Sequence, residues 1–239
     1  MQLNLETANK YAKMADIAYK DEEEAKKEYK NLGWTSHVFI ENKGAQCHIV
    51  WNKDDMGICF RGTEPTELSD VLADLNALPK KSMTDGWVHA GFRGELDKLW
   101  AHIEPMASEY DDKNLYICGH SLGAAMATIC TSRIEEFRPV EELYTFGSPR
   151  AGTRSFVRGI KTRHWRFVNN NDVVTTVPLA LMGYKHHGRL CYINHYGNIR
   201  KMTLWQRIKD KFRGLRSGLL DGVKDHGMGN YVEHTIKEN

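Results

Sequence analysis

The chain has no pair of cysteines at metal-binding or redox spacing. Cys47, Cys59, Cys118, Cys130 and Cys191 form no Cys-x-x-Cys, and an odd number of thiols cannot all pair within one chain. Four of them sit beside strand-like or helical apolar residues, the setting of small buried thiols in a reducing compartment; a disulfide in a secreted mature form is the alternative. Between Met1 and Lys20 there is no basic stretch followed by an uninterrupted apolar run, the pattern of a secretory leader. These two absences favour the cytoplasm and leave a secreted mature form open. An excess of one charge is also missing: 33 Lys and Arg against 31 Asp and Glu leave a net charge of +2. With no arginine-rich or zinc-finger spacing, nothing points to nucleic acid as a partner. At 41% apolar and 27% charged residues the composition is that of a soluble globular protein rather than a disordered or membrane-spanning one. Over 239 residues no composition break argues for a second domain, so the expectation is one domain, 1–239.

Ala8, Tyr11, Ala12, Ala15, Ala18 and Tyr19 recur at helical spacing, and the charged run Asp21 to Lys30 reads as a solvated continuation. Gln46 to Trp51 and Met56 to Phe60, separated by polar Asn52 to Asp55, read as a hairpin. From there helix and strand alternate: helix 91–110, strand 115–118, helix 122–137, strand 143–146, helix 153–160, strand 165–168. Such alternation predicts an α/β fold with right-handed crossovers, a mainly parallel central sheet with helices on both faces, and an antiparallel N-terminal edge. Reactive groups then gather at the carboxyl ends of the parallel strands.

One such end carries Gly119-His120-Ser121-Leu122-Gly123, after the apolar run Leu115 to Cys118 and before the Ala-rich stretch Ala124 to Ala127. This is a Gly-x-Ser-x-Gly nucleophile elbow in a strand-turn-helix setting. Side chains at the two glycine positions would collide with the adjoining strand and helix, and the serine is held in strained backbone geometry. Ser121 is therefore the candidate nucleophile, and the Leu122 N–H at the start of the helix a candidate oxyanion donor. A serine hydroxyl needs a histidine to take its proton and a carboxylate to hold that histidine, in the chain order Ser, Asp or Glu, His on such a sheet. Asp172 follows the strand Trp165 to Val168 at its carboxyl end and is the candidate acid, with Asp221 and Asp225 as competitors. For the base, His164, His186, His187, His195, His226 and His234 all follow Ser121, and periodicity does not choose among them. His226 lies in a loop able to present an imidazole to the sheet edge. His186, His187 and His195 bracket a hairpin and read as surface residues. The carboxylates and spacings of a metal site are missing, and the chemistry needs no cofactor.

Five blocks in order, Phe60-Arg61-Gly62-Thr63, Val88-His89-Ala90-Gly91-Phe92, the elbow, Thr145 to Gly152, and Asn170-Asn171-Asp172-Val173-Val174 running to Pro178, resemble the class 3 lipases, the fungal-type branch of the α/β hydrolases, from about Trp34 to Tyr231. The resemblance implies the α/β-hydrolase fold, Asp172 as the triad acid, His226 as the base through Asp225-His226 and Tyr231, and Thr63 as the second oxyanion donor. His89 precedes Ser121, out of order for the base, and is read as a packing or hydrogen-bonding residue. Gly147, Pro149 and Gly152 shape a turn, and Arg61 is a candidate anchor of the oxyanion loop through a salt bridge with no partner named.

Between Thr63 and Pro79, Leu68, Val71, Leu72, Leu75 and Leu78 fall on one helical face. The resemblance implies a lid at 64–79; a permanently packed helix is the alternative. A second amphipathic segment, 200–220, combines seven Lys or Arg over residues 200–216 with a leucine and aromatic stripe, which suits either peripheral contact with an anionic lipid surface or docking on the core. The expected function is that of a serine ester hydrolase of the lipase type acting on a lipid ester. The alternatives are a phospholipase A1 or short-chain esterase with the same triad and, more distantly, a lipid-binding protein without turnover. Chain-length preference and oligomeric state leave no mark in the sequence.

Overall fold

The computed structural model describes residues 2–63, 78–200, 202–203, 205–206 and 225–236. Both amphipathic expectations, the lid at 64–79 and the basic segment at 200–220, fall almost entirely outside these residues. Only Leu78, Pro79 and a few isolated positions of the second segment are described, and Pro79 already begins a strand.

Helix α1 (Leu5–Ile17) is N-capped by Asn4, whose side chain accepts from the Thr7 N–H, and it buries Ala8, Tyr11, Ala12, Met14, Ala15 and Ile17. The charged run that follows is not a solvated tail of this helix. It is a separate helix, α2 (Glu22–Asn31), capped by Asp21, with three glutamates in its first turn where the helix dipole favours them, and with Ala25 and Tyr29 buried. Two apolar residues four apart suffice to dock a helix whose remaining faces are ionic.

The central sheet has eight strands: β1 (Ser36–Asn42), β2 (Ala45–Trp51), β3 (Asp55–Phe60), β6 (Asn114–His120), β7 (Glu142–Phe146), β9 (Arg163–Asn169), β11 (Arg189–Ile193) and β12 (Ile199–Arg200), in the spatial order β1-β2-β3-β6-β7-β9-β11-β12. From β3 to β11 the pairing is parallel, while β1-β2-β3 and β11-β12 pair antiparallel. The hairpin read from the sequence is thus β2-β3, extended by β1, and a second antiparallel edge closes the far side. A smaller antiparallel sheet orders β10 (Tyr184–Lys185), β8 (Gly152–Thr153), β5 (Trp87–His89) and β4 (Pro79–Lys81). Helices α3 (Ala90–Glu109) and α4 (Leu122–Ile134) share a core with one face of the central sheet; α5 (Arg154–Gly159) adds Phe156. The other face packs on α1, α2 and α6 (Met228–Ile236). Asn9 ties α1 to α6, donating to Val232 O at 3.2 Å and Thr235 Oγ1 at 3.0 Å. This is the α/β-hydrolase architecture, with helices on both faces of a mainly parallel sheet.

All five cysteines are buried and unpaired. Burial pushes the thiols of Cys130 and Cys191 up to about 12, so they behave as small apolar residues. No helix among the described residues is long and apolar enough to cross a membrane.

Among the described residues, three of the buried histidines are held in the neutral form: His48, which burial drives down to about 3, and His120 and His164, driven well below the ordinary imidazole value by burial and neighbouring cations or imidazoles. Below about pH 6.5 the unfolded chain takes up protons that these folded histidines refuse, so acid lowers stability, by up to about 1.4 kcal/mol per pH unit for each group. Denaturant unfolding between pH 7 and 5 should show a falling midpoint, and a pH-independent midpoint would contradict the burial of these imidazoles.

Candidate active site

The elbow lies where β6 hands over to α4. Ser121 has φ 55° and ψ −128°, a conformation that L-residues rarely adopt. Its backbone is fastened on both sides: the Ser121 N–H donates to Phe146 O at 3.0 Å, and Ser121 O accepts from the Ala124 N–H at 3.0 Å. The flanking glycines are required sterically. A Cβ on Gly119 would sit 2.5 Å from Gly123 O, and one on Gly123 would sit 2.3 Å from Phe60 O at the end of β3. Strand, turn and helix can approach this closely only if both positions lack a side chain. The Ser121 side chain makes no capping bond to α4, so its hydroxyl is not spent on the helix it precedes.

The loop after β3 reaches the same place. A Cβ on Gly62 would meet Ser121 Cβ at 3.0 Å and His120 O at 2.6 Å, and Thr63 and Leu122 line a common cavity. Arg61 Nη1 donates to Gln46 Oε1 at 2.7 Å, and its guanidinium lies 5.6 Å over the Tyr19 ring. An anchor read from sequence as a salt bridge therefore includes a neutral amide and an aromatic face.

Asp172 follows β9 and is fully buried. Its Oδ1 accepts from the Val174 N–H at 3.0 Å, and its Oδ2 accepts from His226 Nδ1 at 2.9 Å and from the Tyr231 hydroxyl. Three donors thus converge on this one carboxylate. Because a carboxylate oxygen accepts, His226 carries its proton on Nδ1, which leaves Nε2 as the acceptor nitrogen of the ring. Nε2 of His226 is buried and has no hydrogen-bond partner among the described residues. Burial and the Asp172 charge hold the Tyr231 phenol well above its ordinary value, so it stays a donor to Asp172; it also accepts from the Asn169 N–H at 3.1 Å.

The competitor Asp225 takes a different part. Its carboxylate accepts from the Asn171 N–H at 3.0 Å, and its carbonyl accepts from Asn169 Nδ2 at 2.9 Å, which staples the His226 loop to the Asp172 loop. Asp221 lies outside the described residues. Gly147 does more than shape a turn. With φ +60°, a Cβ there would fall 2.7 Å from Asp172 Oδ2 and 2.8 Å from the His226 ring, so the position is left empty for the pair.

Sequence reasoning missed His120, the variable residue of the elbow. Its Nε2 lies 2.7 Å from His226 O and its Nδ1 2.7 Å from the Tyr19 hydroxyl. A carbonyl only accepts, so Nε2 carries the proton and Tyr19 donates to Nδ1. Burial and the neighbouring His226 keep His120 neutral. The result is a chain from the turn between α1 and α2, through the elbow, to the backbone of His226. No local signal could reveal it, since Tyr19 and His120 are 101 positions apart.

The other histidines are placed elsewhere. His89 Nδ1 accepts from the Phe92 N–H at 3.4 Å at the start of α3, the hydrogen-bonding part expected of it. His164 bonds Thr145 Oγ1 at 2.6 Å and lies 3.1 Å from His187, and His186 Nε2 donates to Thr175 O at 2.9 Å. His186 and His187 are half-buried in this cluster, not surface residues; only His195 sits in the β11-β12 turn. Among the described residues no group of three His, Cys, Asp or Glu could hold a metal ion.

Comparison with known proteins fits this geometry. The family model for lipase (class 3) matches residues 57–182. The chain is 26% identical over 217 residues to the toxin TseL of Vibrio cholerae, an alignment covering 70% of this chain and 34% of that protein. It is 26% identical over 167 residues to the secreted mono- and diacylglycerol lipase MDL2 of Malassezia globosa, covering 60% of this chain and 54% of that one. The chain thus spans about a third of the length of the first of these relatives and about half of the second. Among solved structures, a mutant of MDLA from Penicillium cyclopium superposes with a TM-score of 0.73 at 20% identity, covering 94% of this chain and 96% of that one. A triacylglycerol lipase described as having a serine-protease triad at its catalytic centre gives 0.66 at 20% identity, over 79% and 80% of the two chains. Tyr19, His226 and Tyr231 lie outside the matched family residues and come to the elbow only through the fold. With more than half its length covered by the family model and the elbow in its strand-turn-helix place, the chain belongs to the class 3 lipase family.

Proposed function

We propose that the chain is a carboxylic ester hydrolase of the lipase type, working on lipid esters through Ser121, His226 and Asp172. The observation that carries this reading is the buried Asp172–His226 pair, which leaves Nε2 of His226 unpartnered, with the ring of His226 4.4 Å from that of His120, the residue before the strained Ser121. Ser121 Oγ attacks the ester carbonyl while His226 Nε2 takes its proton, and Asp172 stabilises the imidazolium. The N–H groups of Thr63 and Leu122 hold the oxyanion, each worth about 3 kcal/mol of barrier. The proton then passes from His226 to the departing alcohol, and water releases the acyl group by the same steps in reverse order. No metal or organic cofactor enters. His120, locked neutral, adds a hydrogen bond to the His226 carbonyl without adding a charge that would oppose the imidazolium.

The test is the hydrolysis rate for an ester series of increasing chain length across each substrate's solubility limit, with Ser121→Ala as control. A Ser121-dependent rate that rises when aggregates form supports a lipase acting at a lipid surface. Saturation on soluble short esters identifies an esterase instead, and absence of turnover on every ester overturns the proposal.

The Tyr19–His120 chain yields a further expectation. Tyr19→Phe removes the donor to His120 Nδ1 and loosens the bond to His226 O, so kcat should fall about fivefold, one ordinary hydrogen bond, with KM little changed. Steady-state kinetics with a parallel thermal unfolding curve checks this. A loss seen only in KM would remove Tyr19 from the positioning of His226.

A further inference from the structure

We propose that the His186-His187 turn is an acid-released latch on the loop that carries Asp172. Its effect on turnover rests on the ester-hydrolase reading above; its opening does not.

The turn lies between β10 and β11, and the glycines at its two ends, Gly183 and Gly188, both have φ 86°, the left-handed region in which glycine bends without strain. On one side it holds the site. His186 Nε2 donates to Thr175 O at 2.9 Å, and Thr175 belongs to the short turn Val174–Thr176. That short turn grips Asp172 twice, the Val174 N–H donating to Asp172 Oδ1 at 3.0 Å and Thr175 Oγ1 to Asp172 O at 2.8 Å. On the other side the latch is fastened to the core. His187 hydrogen-bonds the Ile160 carbonyl just after α5, and its Nδ1 lies 3.1 Å from Nδ1 of His164 on β9, whose Nε2 lies 2.6 Å from Thr145 Oγ1 on β7.

The last acceptor orders the protons in this chain. A carbonyl only accepts, so neutral His187 gives its one proton to Ile160 O and accepts from His164 Nδ1–H, and His164 Nε2 accepts from the Thr145 hydroxyl. One further proton on His187 sets two N–H groups face to face across 3.1 Å, and the link to β9 is lost. The surroundings oppose that charge. Arg166 faces all three imidazoles and Arg150 faces His186, while Glu135, the carboxylate beside His187, already accepts from the N–H groups of Lys161 and Thr162. Burial first, then the neighbouring imidazoles and guanidiniums, holds His164 and His186 well below the ordinary imidazole value, and burial holds His187 below it.

Released into water, each imidazole regains a value of about 6.5, so the open form binds more protons than the closed one. Below that pH it gains on the closed form by up to about tenfold per pH unit for each imidazole freed. With His186 withdrawn, Thr175 O loses its donor and the turn that holds the Asp172 carboxylate loosens. Turnover then falls in acid by a step separate from protonation of His226.

The experiment is hydrogen exchange read by mass spectrometry near pH 7.5 and pH 5, corrected for the intrinsic effect of pH, on peptides covering 172–176 and 184–188, with β3 and β6 as references for global unfolding. Relative to those strands, protection of the two peptides should fall about 30-fold or more in the wild type at the lower pH and recover on return. In His187→Gln, whose amide accepts from His164 and takes up no proton, about tenfold or more of that protection should be retained. Should that variant fail to fold, His186→Gln, which keeps a donor for Thr175 O, takes its place with the same expectation. The acid limb of kcat should be steeper than one proton in the wild type and approach one proton in the variant, with kcat near pH 7.5 held within about twofold. Protection that stays in step with β3 and β6, or is lost equally in the variant, overturns the latch, and a one-proton limb in the wild type contradicts its hold on Asp172. Absence of ester turnover counts against the hydrolase reading alone, with the exchange measurement still deciding on the latch.

Discussion

Replacing Ser121 by alanine should lower ester turnover by roughly 10⁴-fold to 10⁶-fold, with the fold intact. The size of the effect follows from the proposed mechanism, in which this hydroxyl forms the acyl intermediate. The fold survives because the hydroxyl makes no capping bond to α4, while the backbone of residue 121, fixed by Phe146 and Ala124, needs no side-chain oxygen. The strained conformation at φ 55° is retained in the variant, and its cost is common to both chains. Residual turnover should reflect only oxyanion stabilisation and binding. Rates measured with an excess of enzyme over substrate, beside unfolding curves of both chains, check both halves of the expectation.

Asp172→Asn should cost about 10⁴-fold in kcat, for a reason specific to this site. The Val174 N–H holds one oxygen of residue 172 and would hold the amide oxygen of an asparagine. The amide nitrogen would then face His226 Nδ1, which now accepts, and the imidazole proton moves to Nε2. In that tautomer His226 cannot take the Ser121 proton. Stability should fall modestly, by about 1–2 kcal/mol, because the amide nitrogen cannot accept from the Tyr231 hydroxyl as Oδ2 does. The measurement is kcat near pH 8 together with a denaturant curve, and a variant within about tenfold of the parent would remove Asp172 from the mechanism.

How much of this the sequence disclosed depends on the range of each interaction. The elbow is legible because its determinants are local: two glycines, one serine, an apolar strand and an Ala-rich helix within about a dozen residues. The parallel sheet follows from alternation. Strand β1 escaped notice because its burial is intermediate and its residues mix His37, Val38, Phe39 and Glu41. The smaller sheet escaped because strands of two or three residues leave no periodicity to read. Helix α2 was hidden by its charge. Asp172 and His226 emerged from chain order and family resemblance, whereas Tyr19 and His120, a pair across sheet and helix, required coordinates. Cytoplasmic location finds no support: buried unpaired thiols are equally compatible with relatives that are named as secreted.

The central claim is that His226 activates Ser121 as a nucleophile. The most direct measurement is covalent labelling by an alkyl fluorophosphonate, followed by intact mass and peptide mapping, in the wild type and in His226→Ala. The account predicts a single adduct on Ser121, formed far more slowly in the variant. An adduct on another residue, no adduct, or labelling that is indifferent to His226 would contradict it.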